Sequence, residues 1–286
     1  MRFAFVRDHR RRYPVGLTCR LLAVSRAGFY AWLRRPAPAR AARRDGLLGR
    51  IRAAHAASRG TYGSPRVHAQ LRAEGVGVCQ NTVARLMREE GVRSKVARRF
   101  KARTTDSSHP HRVAANALGR DFSADAPDRK WACDVTYVAT GQGWLYLAVV
   151  LDLCSRKVVG WSMAGHLRAG LCLDALGMAL ARRSPGPGLV HHSDRGVQYA
   201  CGEYRRALDD SGIACSMSRR GDCYDNAAVE SFFKTLKAEL VHDERYATHE
   251  EARVSIFEYI ECWYNRRRLH SALGYRSPEA FEAEFN

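Results

Sequence analysis

Residues 131–152 read WACDVTYVATGQGWLYLAVVLD. Trp131 to Val138 fits a short strand, and Gly141-Gln142-Gly143 fits a hairpin turn. Trp144 to Leu151 is a nearly continuous apolar run, the pattern of a central strand buried on both faces. Working outward, Lys157 to Met163 gives a third strand. Leu167 to Arg182 gives a helix that ends at Ser184-Pro185-Gly186-Pro187-Gly188. Gly188 to His192 is a strand, Tyr199 to Ser211 a helix, Ile213 to Met217 a strand and Asn226 to Leu240 a helix. Three strands followed by alternating helices and strands predict a mixed α/β sheet flanked by helices. A long helix from about Thr248 to Tyr264 and a proline-containing tail close the chain.

The charge separates along the sequence. Of 286 residues, 47 are Lys or Arg and 29 Asp or Glu, a net +18. Residues 1–120 hold 27 basic against 6 acidic, +21, and residues 121–286 hold 20 against 23, −3. A front part this basic predicts a polyanionic partner, nucleic acid before any other. The 46% apolar content excludes a wholly disordered basic chain.

The basic part reads as helices and turns. Leu17 to Leu22 predicts a short helix. Ser25 is placed to cap a second from Arg26 to Arg35, with Leu21, Leu22, Phe29, Tyr30 and Trp32 as apolar contacts. That is a helix-turn-helix shape, with Arg26 early in its second helix as a DNA contact. A second pair starts at Ser64-Pro65 and, past Gly75-Val76-Gly77, at Asn81, where Val83, Leu86 and Met87 share one face. Residues 93–112, rich in charge, Ser, Thr and Pro, have linker composition. The expected divisions are 1–45 and 46–95 (helical, DNA-binding), 96–125 (basic linker), 126–240 (catalytic core) and 241–286 (C-terminal helical extension).

No stretch is long and apolar enough for a membrane span, and a charge at Arg2 precedes any apolar core. Nine cysteines are scattered singly without a CxxC, which fits reduced thiols in a cytoplasmic protein. His109-Pro110-His111 and His191-His192 stand without partners at zinc-ligand spacing.

Three carboxylates carry the chemistry. Asp134 lies in the first strand, Asp194 just past the fourth, and Glu230 on the Asn226 helix. A carboxylate at a strand end is where an open α/β sheet builds its site. Acidic groups converging from separate elements repel unless a hard divalent cation neutralises them. Two such ions about 3.5–4 Å apart clamp the attacking and leaving oxygens of an in-line phosphoryl displacement. Water or a DNA 3′-hydroxyl then serves as nucleophile. On the Glu230 helix, Val229, Phe233, Leu236 and Leu240 form the packed face, while Glu230, Lys234 and Lys237 share another stripe. The lysines suit phosphates; an ordinary surface ion pair is the plainer reading of Glu230 and Lys234. Asp152 is a rival at the second strand's end. Asp222 and Asp225 suit helix capping, and Asn226 suits a cap, a carboxylate bond or a DNA contact. His192 is a candidate to contact the leaving group, with a structural role as the plainer reading. Gln198 and Tyr199 are candidates to touch DNA. Trp131, Trp144 and Trp161 read as core rather than base-stacking platforms.

The spacing Asp134, Asp194, then 35 residues, then Glu230 resembles the catalytic core of retroviral integrases and related bacterial transposases. The words around it are closer to one branch: Trp131-Ala132-Cys133-Asp134-Val135-Thr136-Tyr137, His192-Ser193-Asp194-Arg195-Gly196-Val197-Gln198-Tyr199, and Ser218 through Ala227 running into Glu230-Ser231-Phe232-Phe233-Lys234. The tail from Tyr264-Asn265 to Ser277-Pro278 completes the set. From about residue 10 to 286 the chain resembles the OrfB transposases of the IS3 group of insertion sequences.

That resemblance implies an RNase H-like fold, Mg²⁺ or Mn²⁺ as two ions, cleavage at the element's ends and strand transfer. It assigns catalysis and metal binding to Asp134, Asp194 and Glu230, and DNA-end contact to Lys234 and Lys237. The implied partners are double-stranded DNA, further copies of the chain, and an upstream OrfA joined by frameshifting. The implied location is the bacterial cytoplasm, with the nucleoid. A DNA-binding regulator with a dead core and a nuclease that does not join are the rival readings.

Overall fold

A computed structural model describes residues 1–35, 39–95, 113–219 and 223–285. It has two compact units, Met1–Ala53 and Ala54–Asn286. The expected linker residues 96–112 and the rival Asp222 lie outside the described residues.

The first unit begins with three helices: α1 (Arg2–His9), α2 (Val15–Leu21) and α3 (Arg26–Arg34). Ser25 caps α3 as expected, accepting from the Gly28 N–H at 2.9 Å. Val6, Cys19 and Phe29 are buried together, with Phe3, Leu22 and Trp32 packed around them. Leu21 and Tyr30, expected to join that core, are exposed. Helix α1 has no apolar periodicity to announce it; it forms because Phe3 and Val6 complete this small core.

Helix α4 (Ala39–Ala57) was not anticipated either. Helices α5 (Ser64–Ala73) and α6 (Gln80–Glu89) form the second pair, with Val67, Leu71, Val83, Leu86 and Met87 buried. Two caps differ from expectation. Gly63 rather than Ser64 holds the cap position of α5, and Cys79 rather than Asn81 that of α6, both without a side-chain bond. The pair belongs to the second unit, where it meets the C-terminal tail. The Tyr62 hydroxyl donates to the Arg267 carbonyl and accepts from the Leu269 N–H, while Arg66 donates to the Leu269 carbonyl.

The sheet matches the sequence reading closely. Strands β1 (Lys130–Thr140), β2 (Gly143–Asp152), β3 (Val158–Ala164), β4 (Val190–Ser193) and β5 (Ala214–Met217) lie in the order β3-β2-β1-β4-β5. The first three are antiparallel; β4 and β5 run parallel to β1. In β2, Leu145 and Leu147 to Leu151 are buried, as a strand covered on both faces requires. Helix α7 (Ala169–Arg183) packs on one face through Leu171, Cys172, Ala175, Leu176 and Ala179. A Cβ at Gly160 would collide with the Ala175 carbonyl oxygen, so glycine permits that close approach. The helix expected over 199–211 is split into α8 (Val197–Ala200) and α9 (Gly202–Asp210) at an extended Cys201.

On α10 (Ala227–Glu239), Val229, Phe232, Phe233 and Leu236 are buried, and the helix packs on β1. Burying such side chains contributes about 1.5–3 kcal/mol each. The long closing helix is α-helical in α11 (His249–Phe257), capped by Thr248, and π-helical over Glu258–Tyr264. Beyond it Asn265 stitches the tail to β3: its Oδ1 accepts from the Val158 N–H and its Nδ2 donates to the Val158 carbonyl. Helix α12 (Pro278–Glu282) ends the chain.

Candidate active site

The register of two strands builds the site. In the parallel pair β1·β4, Ala132 lies opposite His192 and Cys133 opposite Ser193. Asp134 is the next residue on β1, and Asp194 is the first residue past β4. They therefore leave neighbouring strands at the same level, and both line one cavity of about 410 Å³. Val135 N–H donates to Asp134 Oδ1 at 2.8 Å, and Gly196 N–H to Asp194 Oδ1 at 2.8 Å. A Cβ on Gly196 would lie 3.0 Å from that Oδ1, so the close turn suits glycine. Burial first, then the charge of Asp194, holds the Asp134 carboxyl well above the usual range; Glu230 adds to the rise and Lys237 opposes it.

Glu230 stands one helix away, in the first turn of α10. Burial raises its carboxyl and Lys234 lowers it. Its Oε2 is 3.8 Å from Lys234 Nζ, and the lysine is exposed. Glu230 is within electrostatic reach of Asp134 but does not line the cavity. Among the described residues no group of three His, Cys, Asp or Glu is poised to enclose a metal ion. The donor chemistry nonetheless suits a hard divalent cation: two carboxylates at one level of adjacent strands, and a third on the helix packed against them.

Lys237, on the same helix, is also within electrostatic reach of Asp134. Its Nζ lies 4.9 Å from the centre of the Tyr137 ring, a cation–π distance. Burial lowers its pKa and Asp134 raises it. Gln198 lines the cavity and donates to the Leu167 carbonyl at 3.2 Å. Two expected DNA contacts lie deeper than expected. Tyr199 is a buried core side chain beside Tyr204 and His191, though it also borders the cavity. Asn226 is buried at the cap position of α10 and makes no cap bond. Its Nδ2 donates to the Cys133 carbonyl at 3.0 Å, which ties the helix entrance to β1 beside Asp134. Arg26 is an exposed side chain of α3 in the first unit.

The rival carboxylates have other work. Asp152 is buried in the β2–β3 turn and accepts from the N–H groups of Asp128, Cys154 and Ser155. Asp225 does not cap α10. It is buried and receives Arg219, Arg120 and Asn116, which hold its carboxyl well below the usual range. His192 sits buried between the Ser216 and Ser218 hydroxyls, and burial pushes its pKa down to about 4. Trp131 is core, whereas Trp144, expected to be core, is 52% exposed. Thr136, Tyr137, Trp144 and Tyr146 line the cavity and were not singled out as site residues. The available signal was position: Trp144 directly follows the hairpin glycine, at a sheet end the core does not reach.

Residues 124–223 match the integrase core domain family, 211–278 a second model of the same description, and 42–100 an HTH-like domain. Transposase InsF for insertion sequence IS3A, from Escherichia coli (strain K12), is 43% identical over 284 residues, 99% of this chain and 98% of that protein. The chain belongs to the IS3-family transposases. The 31 kDa protein of insertion element IS600 from Shigella sonnei is 42% identical over 268 residues, 94% of this chain and 98% of that one. The HTH-like match of this transposase covers α5 and α6, while α2 and α3 precede it. Asp134 and Asp194 fall in the first integrase-core match and Glu230 in the second. No helix among the described residues is long and apolar enough to cross a membrane.

Proposed function

We propose that this transposase cleaves DNA at the ends of its insertion sequence and joins them to target DNA, with Asp134, Asp194 and Glu230 as the catalytic, metal-holding residues. The observation that supports it most is the register that sends Asp134 and Asp194 off adjacent parallel strands into one cavity. Such like charges favour a bound cation. Asp134, Asp194 and Glu230 would hold Mg²⁺ or Mn²⁺, as two ions, which would supply the positive charge that an in-line phosphoryl displacement needs. The protein's share is positioning. The Val135 and Gly196 N–H groups orient the two aspartates, and Asn226 ties the α10 entrance, one turn before Glu230, to β1. Lys237 and Lys234 hold backbone phosphates. Arg26 and Gln198 contact DNA, and Tyr199 and Asn226 support the site from behind.

The partners of this reading are duplex DNA at both element ends and in the target, further copies of the chain, since two ends must meet, and an OrfA portion. It places the protein in the bacterial cytoplasm, on the nucleoid. The test is strand transfer with a labelled duplex ending in the element's terminal repeat and Mg²⁺ or Mn²⁺, alongside Glu230→Gln. Joined products that disappear in the variant are expected. Equal joining by both proteins would remove Glu230 from the site. Tight, salt-sensitive binding without reaction, for the chain alone and fused to OrfA, would favour a regulator.

A further inference from the structure

The cavity has a second end that the carboxylates do not use. Tyr137 and Tyr146 lie opposite each other in the β1·β2 register, and Trp144 is two residues before Tyr146. Alternation along a strand puts all three on one face of the hairpin. Diagonal neighbours are within reach of aromatic side chains, and the Tyr137 and Trp144 rings meet edge to face with centres 4.7 Å apart. Lys237 lies over the Tyr137 ring. The half-exposed side chains of Leu167 and Val197 and the Gln198 amide make the facing wall.

Exposure of this group needs a reason. An indole open to solvent, touched by Tyr137 at its edge and set beside a leucine and a valine, is an exposed apolar surface. It sits next to a carboxylate pair and under a lysine, and the volume of about 410 Å³ is within the range of about 300–1,000 Å³ typical of small-molecule pockets. The shape suits a flat, aromatic, hydrogen-bonding group attached to an anion. A nucleobase on its phosphodiester has those properties: the ring stacks on aromatic side chains, an amide can meet its edge, and a lysine can meet the phosphate.

We propose that Trp144 and Tyr137, with Tyr146 behind them, form a stacking site for one unpaired base of the DNA strand processed at Asp134 and Asp194. The inference rests on the proposed function for the strand's presence, and it adds a positioning role. A base taken out of the duplex fixes the sugar–phosphate attached to it, so the phosphate beside the carboxylates is held at one place along the strand.

The test is equilibrium binding in chelator, which separates the shelf from catalysis. The probes are a fluorescent duplex ending in the terminal repeat with a three-nucleotide single-stranded extension, and the same duplex blunt. Stacking on an aromatic side chain is worth about one to two powers of ten in affinity. Trp144→Ala should weaken binding of the extended probe by roughly tenfold or more, and Trp144→Phe by less than about threefold. Blunt-duplex binding should stay unchanged in both. An abasic nucleotide in the extension should weaken wild type and not Trp144→Ala. Thermal unfolding checks that Trp144→Ala, a half-exposed position, leaves the fold intact. Equal binding of extended and blunt probes by wild type, or an extended probe bound equally by wild type and Trp144→Ala, would overturn the stacking site. The two readings fail separately. Joining that survives Asp134→Asn defeats the proposed catalytic site. Joining lost in Asp134→Asn with unaltered extended-probe binding by Trp144→Ala defeats only the shelf.

Discussion

The transposase surrounds its buried carboxylates in two different ways. Asp225 and Glu239, near the two ends of α10, are saturated by cations and donors from the chain. Asp225 receives Arg219, Arg120 and Asn116. Glu239 receives Arg268 through three bonds of 2.8–3.0 Å and the Tyr259 hydroxyl at 2.9 Å. Asp134, on β1, is raised by burial and by the charges of Asp194 and Glu230, with the Val135 N–H and Lys237 only partly opposing them. The first arrangement fastens elements together. The second holds like charges close together, an arrangement that in the proposed reading a divalent cation would relieve. Clamps stand at both ends of α10, and Glu230 in its first turn is within electrostatic reach of Asp134.

The contrast breaks most sharply through activity. Asp194→Asn should fold, because the Gly196 N–H keeps an oxygen acceptor. It should also lower strand transfer at least about a thousandfold, since each 1.36 kcal/mol of lost transition-state stabilisation is tenfold and a metal supplies several kcal/mol. Timed joining assays at saturating DNA measure this. A clamp should respond through stability instead: Arg268→Ala leaves the Glu239 charge buried without its guanidinium, keeping the Tyr259 hydroxyl, so the transposase should lose about 3–5 kcal/mol of stability, read by denaturant unfolding.

Acid sharpens the same contrast. The folded state holds the Asp225 pKa below its unfolded value of about 3.9. Its contribution to stability is therefore complete above that value and is lost as pH falls toward the folded pKa. Asp225→Asn should be less stable at neutral pH, with a shallower loss on acidification below about pH 4. In contrast, Asp134→Asn should raise the melting temperature at neutral pH in chelator by relieving repulsion. A lowered melting temperature would mean that Asp134 is a clamp like Asp225. The smallest effect belongs to Lys234→Ala. The exposed pair with Glu230 is 3.8 Å long, so stability should change by no more than about 0.5 kcal/mol while DNA affinity falls.

The sheet was readable because its signals are local and strong. The unbroken apolar run of β2, the glycine-rich turn before it and the faces of α7 and α10 needed no tertiary information. The site was readable as motif words, and strand register explains why: once β1 and β4 pair, the residues after Cys133 and Ser193 must emerge together. Tertiary packing determined what was hidden. Helix α1 is held by contacts from α2 and α3. Asp225 resembled a helix cap until Arg120 and Asn116, more than a hundred residues earlier, were brought to it. Asn226 and Tyr199 are polar words in a motif, yet their roles lie in bracing the sheet. Trp144 resembled core because a strand residue's burial depends on where the sheet ends.

We propose that Asp134, Asp194 and Glu230 bind a divalent cation and that the clamped carboxylates do not. Titration of Mn²⁺ into the metal-free transposase, followed by the loss of free-ion electron paramagnetic resonance signal, tests it most directly. The account predicts binding by wild type and by Lys234→Ala, and loss or strong weakening in Asp134→Asn, Asp194→Asn and Glu230→Gln. Binding of the same strength in wild type and Asp134→Asn would contradict it.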